Sequence, residues 1–238
     1  MNRSTPENGG IRLAKRVAAM AGVSRREAEL LIENGAVRVD GVAQMLPQSR
    51  VLPHQQVEIA AGARPEPLLP VTLLLYKPAG MPTDDAHRLL VAANHHEPER
   101  AGQRFLPAHA KGQRCMTPLE TGASGLVAYT QEFRVERKLH EDAAFIEHEV
   151  MVDVAGEVSP EVLARLERSP ARVSIGRQSG EQTGLRFALK GARPGQIAHI
   201  CDNAGLRILA MRRIRIGRVP LAGLQPGQWR YLAPQERF

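Results

Sequence analysis

Residues Val23 to Gly41 read VSRREAELLIENGAVRVDG, and this stretch decides the first part of the fold. Ser24 followed three residues later by Glu27 is a capping box, in which the hydroxyl accepts from the Glu27 amide and the carboxylate reaches back to the Ser24 amide. A helix is predicted to start there. Ala28, Leu31 and Ile32 recur at helical spacing behind the cap, and Asn34-Gly35 supplies a left-handed stop. Past Gly35 the period drops to two in Val37-Arg38-Val39, and Asp40-Gly41 is a strong two-residue hairpin signal. Upstream, Ile11 to Met20 carries Leu13, Val17 and Met20 at helical spacing, and downstream Val57-Glu58-Ile59 reads as a further short strand. The expectation is a helix pair followed by a small sheet.

Residues 60–70, AAGARPEPLLP, hold three prolines and no periodicity, the composition of a semi-rigid linker. The expected organisation is a first domain over 1–62, a linker over 63–70 and a second domain over 71–238. In the second domain the pattern gives strands at Val71 to Tyr76, Gly125 to Thr130 and Arg207 to Ile216, with an irregular region at 84–114. One helix is expected from Ser159-Pro160, where Ser caps and Pro takes the first helical position, and another near Gln196 to Ala204, stopped by Gly205. Strands and helices mixed without regular β-α-β alternation predict an α+β fold.

A hydrophobic share of 43% with 24% charged residues is that of a chain that folds, not of a disordered one. No apolar run approaches the roughly 20 residues that span a bilayer, and the first residues lack an apolar signal segment, so a cytoplasmic protein without membrane association is expected. Cys115 and Cys201 have neither zinc-ribbon nor disulfide-framework spacing, and the adjacent His95 and His96 diverge on any regular backbone. No metal is expected. Charge is unevenly placed: residues 1–64 hold nine Lys/Arg against six Asp/Glu, 65–185 thirteen against seventeen, and 186–238 ten against two. Two basic ends around an acidic middle suit a polyanion held at two places.

The Val23 to Gly41 stretch closely resembles the RNA-binding domain named after ribosomal protein S4, and the match extends over residues 11 to 59. The resemblance implies that Arg12, Lys15, Arg16, Arg25, Arg26 and Arg38 meet RNA backbone and shape, as expected where A-form grooves hide base edges. The segment that follows, LLLYKPAG at Leu73 to Gly80, resembles the opening of the bacterial rRNA pseudouridine synthases, which read L-N-K-P-x-G. Arg213-Ile214-Arg215-Ile216-Gly217 and the spaced Leu221, Gly223, Leu224, Pro226, Gly227, Trp229, Arg230 and Leu232 are similar to that family's closing segment. The resemblance implies a small S4-like domain plus a mixed α/β synthase-like domain with a largely antiparallel sheet. It also brings in Lys77 and Arg215 as RNA-contacting residues.

The family's catalytic motif, G-R-L-D-x-x-T-S-G-L, corresponds to TPLETGASGL at Thr117 to Leu126. Glu120 stands at the catalytic Asp and Pro118 at the Arg. The family's E-K-x-Y corresponds to Glu147-His148-Glu149-Val150, with Val150 where a tyrosine meets the target base, and its N-R-Q-[IV]-R-R run corresponds to Pro194 to His199, with two basic residues missing. By resemblance, Glu120 and its partner cation Arg213 are the expected catalytic pair, with Arg215 the alternative cation. The implied activity is a cofactor-free isomerisation of uridine to pseudouridine by a monomeric protein on structured RNA, rRNA first and tRNA next. The alternative is a relative that binds rRNA or serves ribosome assembly without turnover. A third option, an RNA-binding stress protein using mainly the first domain, leaves the second domain unexplained.

Overall fold

The computed structural model describes residues 9–96 and 105–238. The described residues divide into two compact units, one of residues 9–69 together with 105–111, the other of 70–96 and 112–238. Residues 105–111, which the sequence pattern assigns to the second domain, therefore pack with the first: Lys111 Nζ lies 3.1 Å from Glu33 Oε1.

The first unit runs β1 (Ile11–Arg12), α1 (Leu13–Ala21), α2 (Arg25–Glu33), β2 (Val37–Val39), β3 (Val42–Gln44), β4 (Arg50–Val51) and β5 (Val57–Ile59). The capping box at Ser24 and Glu27 forms as expected, at 3.2 and 2.8 Å. The Asp40-Gly41 turn has positive φ at both residues, 49° and 78°, the geometry whose twist matches antiparallel strands. Leu13, Val17, Ala28, Leu31, Ile32 and Val37 close a core, each large side chain contributing roughly 1.5–3 kcal/mol on full burial. The helix expected from Ile11 starts two residues later, because Ile11 and Arg12 pair with Val51 and Arg50.

The second unit runs β6 (Thr72–Lys77), α3 (Thr83–Ala86), β7 (Arg114–Cys115), β8 (Ser124–Thr130), α4 (Phe133–Glu141), β9 (Glu147–Ala155), α5 (Pro160–Glu167), β10 (Arg172–Gln178), β11 (Gln182–Lys190), α6 (Gln196–Asn203), β12 (Ile208–Ile216), β13 (Val219–Pro220) and β14 (Trp229–Tyr231). The main path of its sheet is β10-β11-β9-β12-β8-β6-β14, with β13 on β12 and β7 on β8. Every pairing is antiparallel except β12 with β8, where Arg212 and Arg213 lie beside Ser124 and Gly125. The α+β architecture with a largely antiparallel sheet is thus the observed one. On one face, Val150, Val152, Val154, Leu185 and Phe187 pack with Leu166 of α5 and with Ile197 and Cys201 of α6. No helix among the described residues is long and apolar enough to cross a membrane.

Candidate active site

The parallel junction of β8 and β12 positions the loop that carries Glu120. Gly125 sits there at φ 111°, and a methyl carbon on it would lie 2.6 Å from the Arg213 amide nitrogen and closer still to the Arg213 carbonyl oxygen. Only glycine lets the two backbones approach this closely. The approach brings the buried Arg213 guanidinium under the loop. Its Nε donates to Leu126 O at 2.7 Å, and its terminal nitrogens donate to Thr117 O and, at 3.4 Å, to Pro118 O.

The far side of the loop is fixed from the end of β6. Lys77 is fully buried, and its Nζ donates to the carbonyls of Pro78, Met81 and Thr121 at 3.0, 2.7 and 3.3 Å. The Gly80 amide donates to the same Thr121 carbonyl at 2.8 Å. Thr83 Oγ1 donates to Leu119 O at 2.6 Å and accepts from the Leu119 amide at 3.1 Å. Lys77, expected at the RNA, is instead an internal strut: an ammonium this deep satisfies its three donors on backbone carbonyls because no water reaches it. Burial pulls it below the usual lysine range, a pull opposed by the charge of Glu120 and strengthened by that of Arg213.

Glu120 thus stands within electrostatic reach of two buried cations. Burial lowers Arg213 to about 10, with Cys115 and Glu120 acting in the opposite direction. Among the described residues no ion pair joins Glu120 to Arg213. The expected pairing is therefore corrected: the guanidinium gives its hydrogen bonds to the loop backbone and acts on Glu120 through the field and through the position of the loop. Arg215 is corrected too. Its Nε and a terminal nitrogen are held by Glu149 and Glu147 at 2.7 and 2.8 Å, in a cluster that also ties Arg186 to Glu149 and Arg172 to Glu147, so its charge is engaged by these two carboxylates and not by Glu120.

Glu120 lines a recess of about 20 Å³ with Val150, Ile197, Met211 and Arg213, room for one water. Val150 reaches this wall because it lies in register with Arg213 on β12, so the position where the resemblance expects an aromatic ring does face the carboxylate. The recess adjoins a cleft of about 860 Å³ that shares Pro118, Ala192, Arg193, Pro194 and Arg213 with it.

His148, two residues before Val150, was not singled out by its chemistry in the sequence. Burial first, then the charges of Arg213 and Arg215, push it down to about 3, so it is neutral. Since guanidinium only donates, the 3.4 Å approach of Arg213 makes His148 Nδ1 the acceptor and leaves the proton on Nε2. Between about pH 3 and 6.5 the unfolded chain binds a proton that the fold excludes, so this stability is complete above pH 6.5 and is lost as pH falls. The expected loss at pH 5 is about 2 kcal/mol, from 1.36 kcal/mol per pH unit. Thermal denaturation at pH 7.5 and 5 should show a smaller acid shift for His148→Gln than for the wild type, and equal shifts would contradict the burial of a neutral imidazole.

In the first unit Arg12, Lys15, Arg25 and Arg50 surround a recess of about 390 Å³. Arg12 and Arg25 also line a second of about 230 Å³ with Glu29, Glu33 and Lys111. Three of the expected RNA-contacting residues therefore converge, together with Arg50 and Lys111, which motif spacing did not reveal. Arg16, Arg26 and Arg38 line neither recess. At the start of α2 the Glu27 carboxylate accepts from the Ser24 amide at 2.8 Å and so occupies the helix N-terminus itself.

Residues 11–57 match the model of the S4 domain. Over its length the chain is 28% identical to ribosomal large subunit pseudouridine synthase B of Bacillus subtilis, covering 93% of this chain and 92% of that one. It is 26% identical to an uncharacterized RNA pseudouridine synthase of Aquifex aeolicus, covering 95% and 94%. A crystal structure of a pseudouridylate synthase shares the fold, with a TM-score of 0.54 and 18% identity over 94% of this chain. An S4 domain joined to a second unit of this fold, with relatives of these names along its length, fits the chain to the family of RNA pseudouridine synthases that carry an N-terminal S4 domain.

Proposed function

We propose that this chain binds structured rRNA, large-subunit rRNA first, and converts a uridine in it to pseudouridine with the Glu120 carboxylate at the reacting nucleotide. The observation that carries this reading is the anchored loop. Lys77, Thr83 and Arg213 fix it from both sides, and Glu120 is the carboxylate it presents to the recess. The reaction is redox-neutral: the C1′–N1 bond breaks, a C1′–C5 bond forms, the C5 proton leaves and N1 gains one. What the protein must supply is a placed carboxylate, a fixed electrostatic field and an extruded base.

Two observations favour a second reading, RNA binding without turnover. Glu carries its carboxylate about 1.5 Å further out than Asp, and a misplacement of about 1 Å can cost roughly a hundredfold in rate. Val150 offers no ring for the base, which removes on the order of 1–3 kcal/mol of stacking. Pseudouridine mapping of total RNA from strains with and without the gene separates the two: a site that disappears with the gene supports turnover, and an unchanged map supports binding alone.

For the first unit, Arg12→Ala with Arg25→Ala is expected to weaken RNA binding about tenfold at moderate salt. It should also flatten the slope of log affinity against log salt by roughly 1.4–1.8, since each neutralised phosphate contributes about 0.7–0.9. Titrations at several salt concentrations check this, and an unchanged slope would remove the recess from the RNA path.

A further inference from the structure

The wide cleft beside Glu120 has a charge pattern that the resemblance does not supply. The helix α6 carries Ala198 and His199 where the resembled run has two basic residues, so two cations of that run are absent from the helix. Two others stand on the cleft wall a few residues earlier, Lys190 at the end of β11 and Arg193 in the loop to α6. Both are exposed, and among the described residues neither forms an ion pair. Lys190 lies in register with Glu147, but that carboxylate is already bound by Arg215 and Arg172. The wall's one carboxylate, that of Glu141, is held by Arg137 at 2.7 Å.

The backbone beneath the two cations is fixed. The Gly191 amide donates to Ile146 O at 3.2 Å, and a methyl carbon at Gly191 would sit 3.3 Å from the Ala144 Cα, so the loop lies against a segment that also lines the cleft. The Arg193 amide donates to Gln196 Oε1 at 3.2 Å, and the Gln196 amide returns to Arg193 O at 3.2 Å. Lys190 and Arg193 are therefore held on one rim of a cleft of about 860 Å³, within the range of ligand sites, that opens into the recess containing Glu120.

We propose that Lys190 and Arg193 form a phosphate subsite for the RNA strand, gripping the backbone next to the nucleotide that reaches Glu120. This rests on the RNA-directed function proposed above. Two unpaired cations on a cleft of nucleotide scale neutralise phosphates without reading sequence, so they serve strand placement.

The test uses the full chain and an RNA hairpin with a loop of uridines, with affinity measured across a salt series. Lys190→Gln with Arg193→Gln should weaken binding about tenfold at moderate salt and flatten the salt slope by roughly 1.4–1.8. The charge-preserving pair Lys190→Arg with Arg193→Lys should keep the wild-type slope, which separates lost charge from a disturbed loop. Arg165→Gln with Arg168→Gln, at α5 away from the cleft wall, should change the slope by much less. An unchanged slope in the Lys190/Arg193 pair, or an equal drop in the α5 pair, overturns the subsite while leaving the wider function standing. No binding of the wild type to the hairpin or to rRNA at low salt would instead overturn the RNA-directed function itself.

Discussion

Replacing Gly125 with alanine is expected to lower the melting temperature by roughly 6–12 °C. The residue holds φ 111°, where an L side chain is strained, and its new methyl would collide with the Arg213 backbone, 2.6 Å from the amide nitrogen. A non-glycine residue in such a region costs about 1–3 kcal/mol before any clash, and backbone on the other side cannot swing away as a side-chain tip would. A combined cost of about 3 kcal/mol, at roughly 2–4 °C per kcal/mol for a chain of this size, gives the expected shift. Gly122 in the same loop is the control: nothing lies within 4 Å of a methyl there, so Gly122→Ala should stay within about 2 °C of the wild type. Thermal denaturation of the three proteins decides the matter, and a Gly125→Ala protein as stable as the control would contradict the close β8–β12 junction.

The first unit was legible almost throughout, because its signals are local: a capping box, a helical apolar period and a hairpin dipeptide, all within a few residues of what they specify. The start of α1 was misplaced by two residues because β1 is set by pairing with Arg50 and Val51, far along the chain. In the second unit β6, β8, β12, α5 and α6 were expected close to where they stand. Strand β11 carries a period-two pattern in Thr183, Leu185, Phe187 and Leu189 that was available and is absent from the expected elements. Strand β10 carries only Val173 and Ile175 at that spacing, since at the sheet edge most of the strand is exposed.

The site divides along the same line. The motif loop with Glu120 in it is legible because its residues are consecutive in the chain. What the sequence could not show is how the cations are used. Lys77 and Arg215 read as RNA contacts and Arg213 as the partner of Glu120, whereas the fold buries Lys77 and Arg213 among carbonyls and ties Arg215 to Glu147 and Glu149. Burial and pairing depend on strands distant in sequence, and residue type alone does not report them.

Glu120→Gln is expected to abolish pseudouridine formation, by on the order of a thousandfold or more, while RNA affinity changes by less than about threefold. Gln keeps the volume and the hydrogen-bonding shape of the side chain and removes only its charge, which is what the two buried cations and the reacting nucleotide respond to. Glu120→Asp draws the carboxylate back by about 1.5 Å towards the family's position and should raise turnover if length alone limits the rate. With Val150 facing the recess, the larger gain is expected when Glu120→Asp is combined with Val150→Tyr, because groups that act as a unit are not additive. The most direct measurement is release of tritium from C5 of labelled uridine in large-subunit rRNA, run with the wild type and Glu120→Gln and accompanied by binding titrations. Release by the wild type that vanishes in Glu120→Gln at unchanged affinity is the predicted result; release that persists in Glu120→Gln, or a wild type that binds tightly and releases nothing, would contradict it.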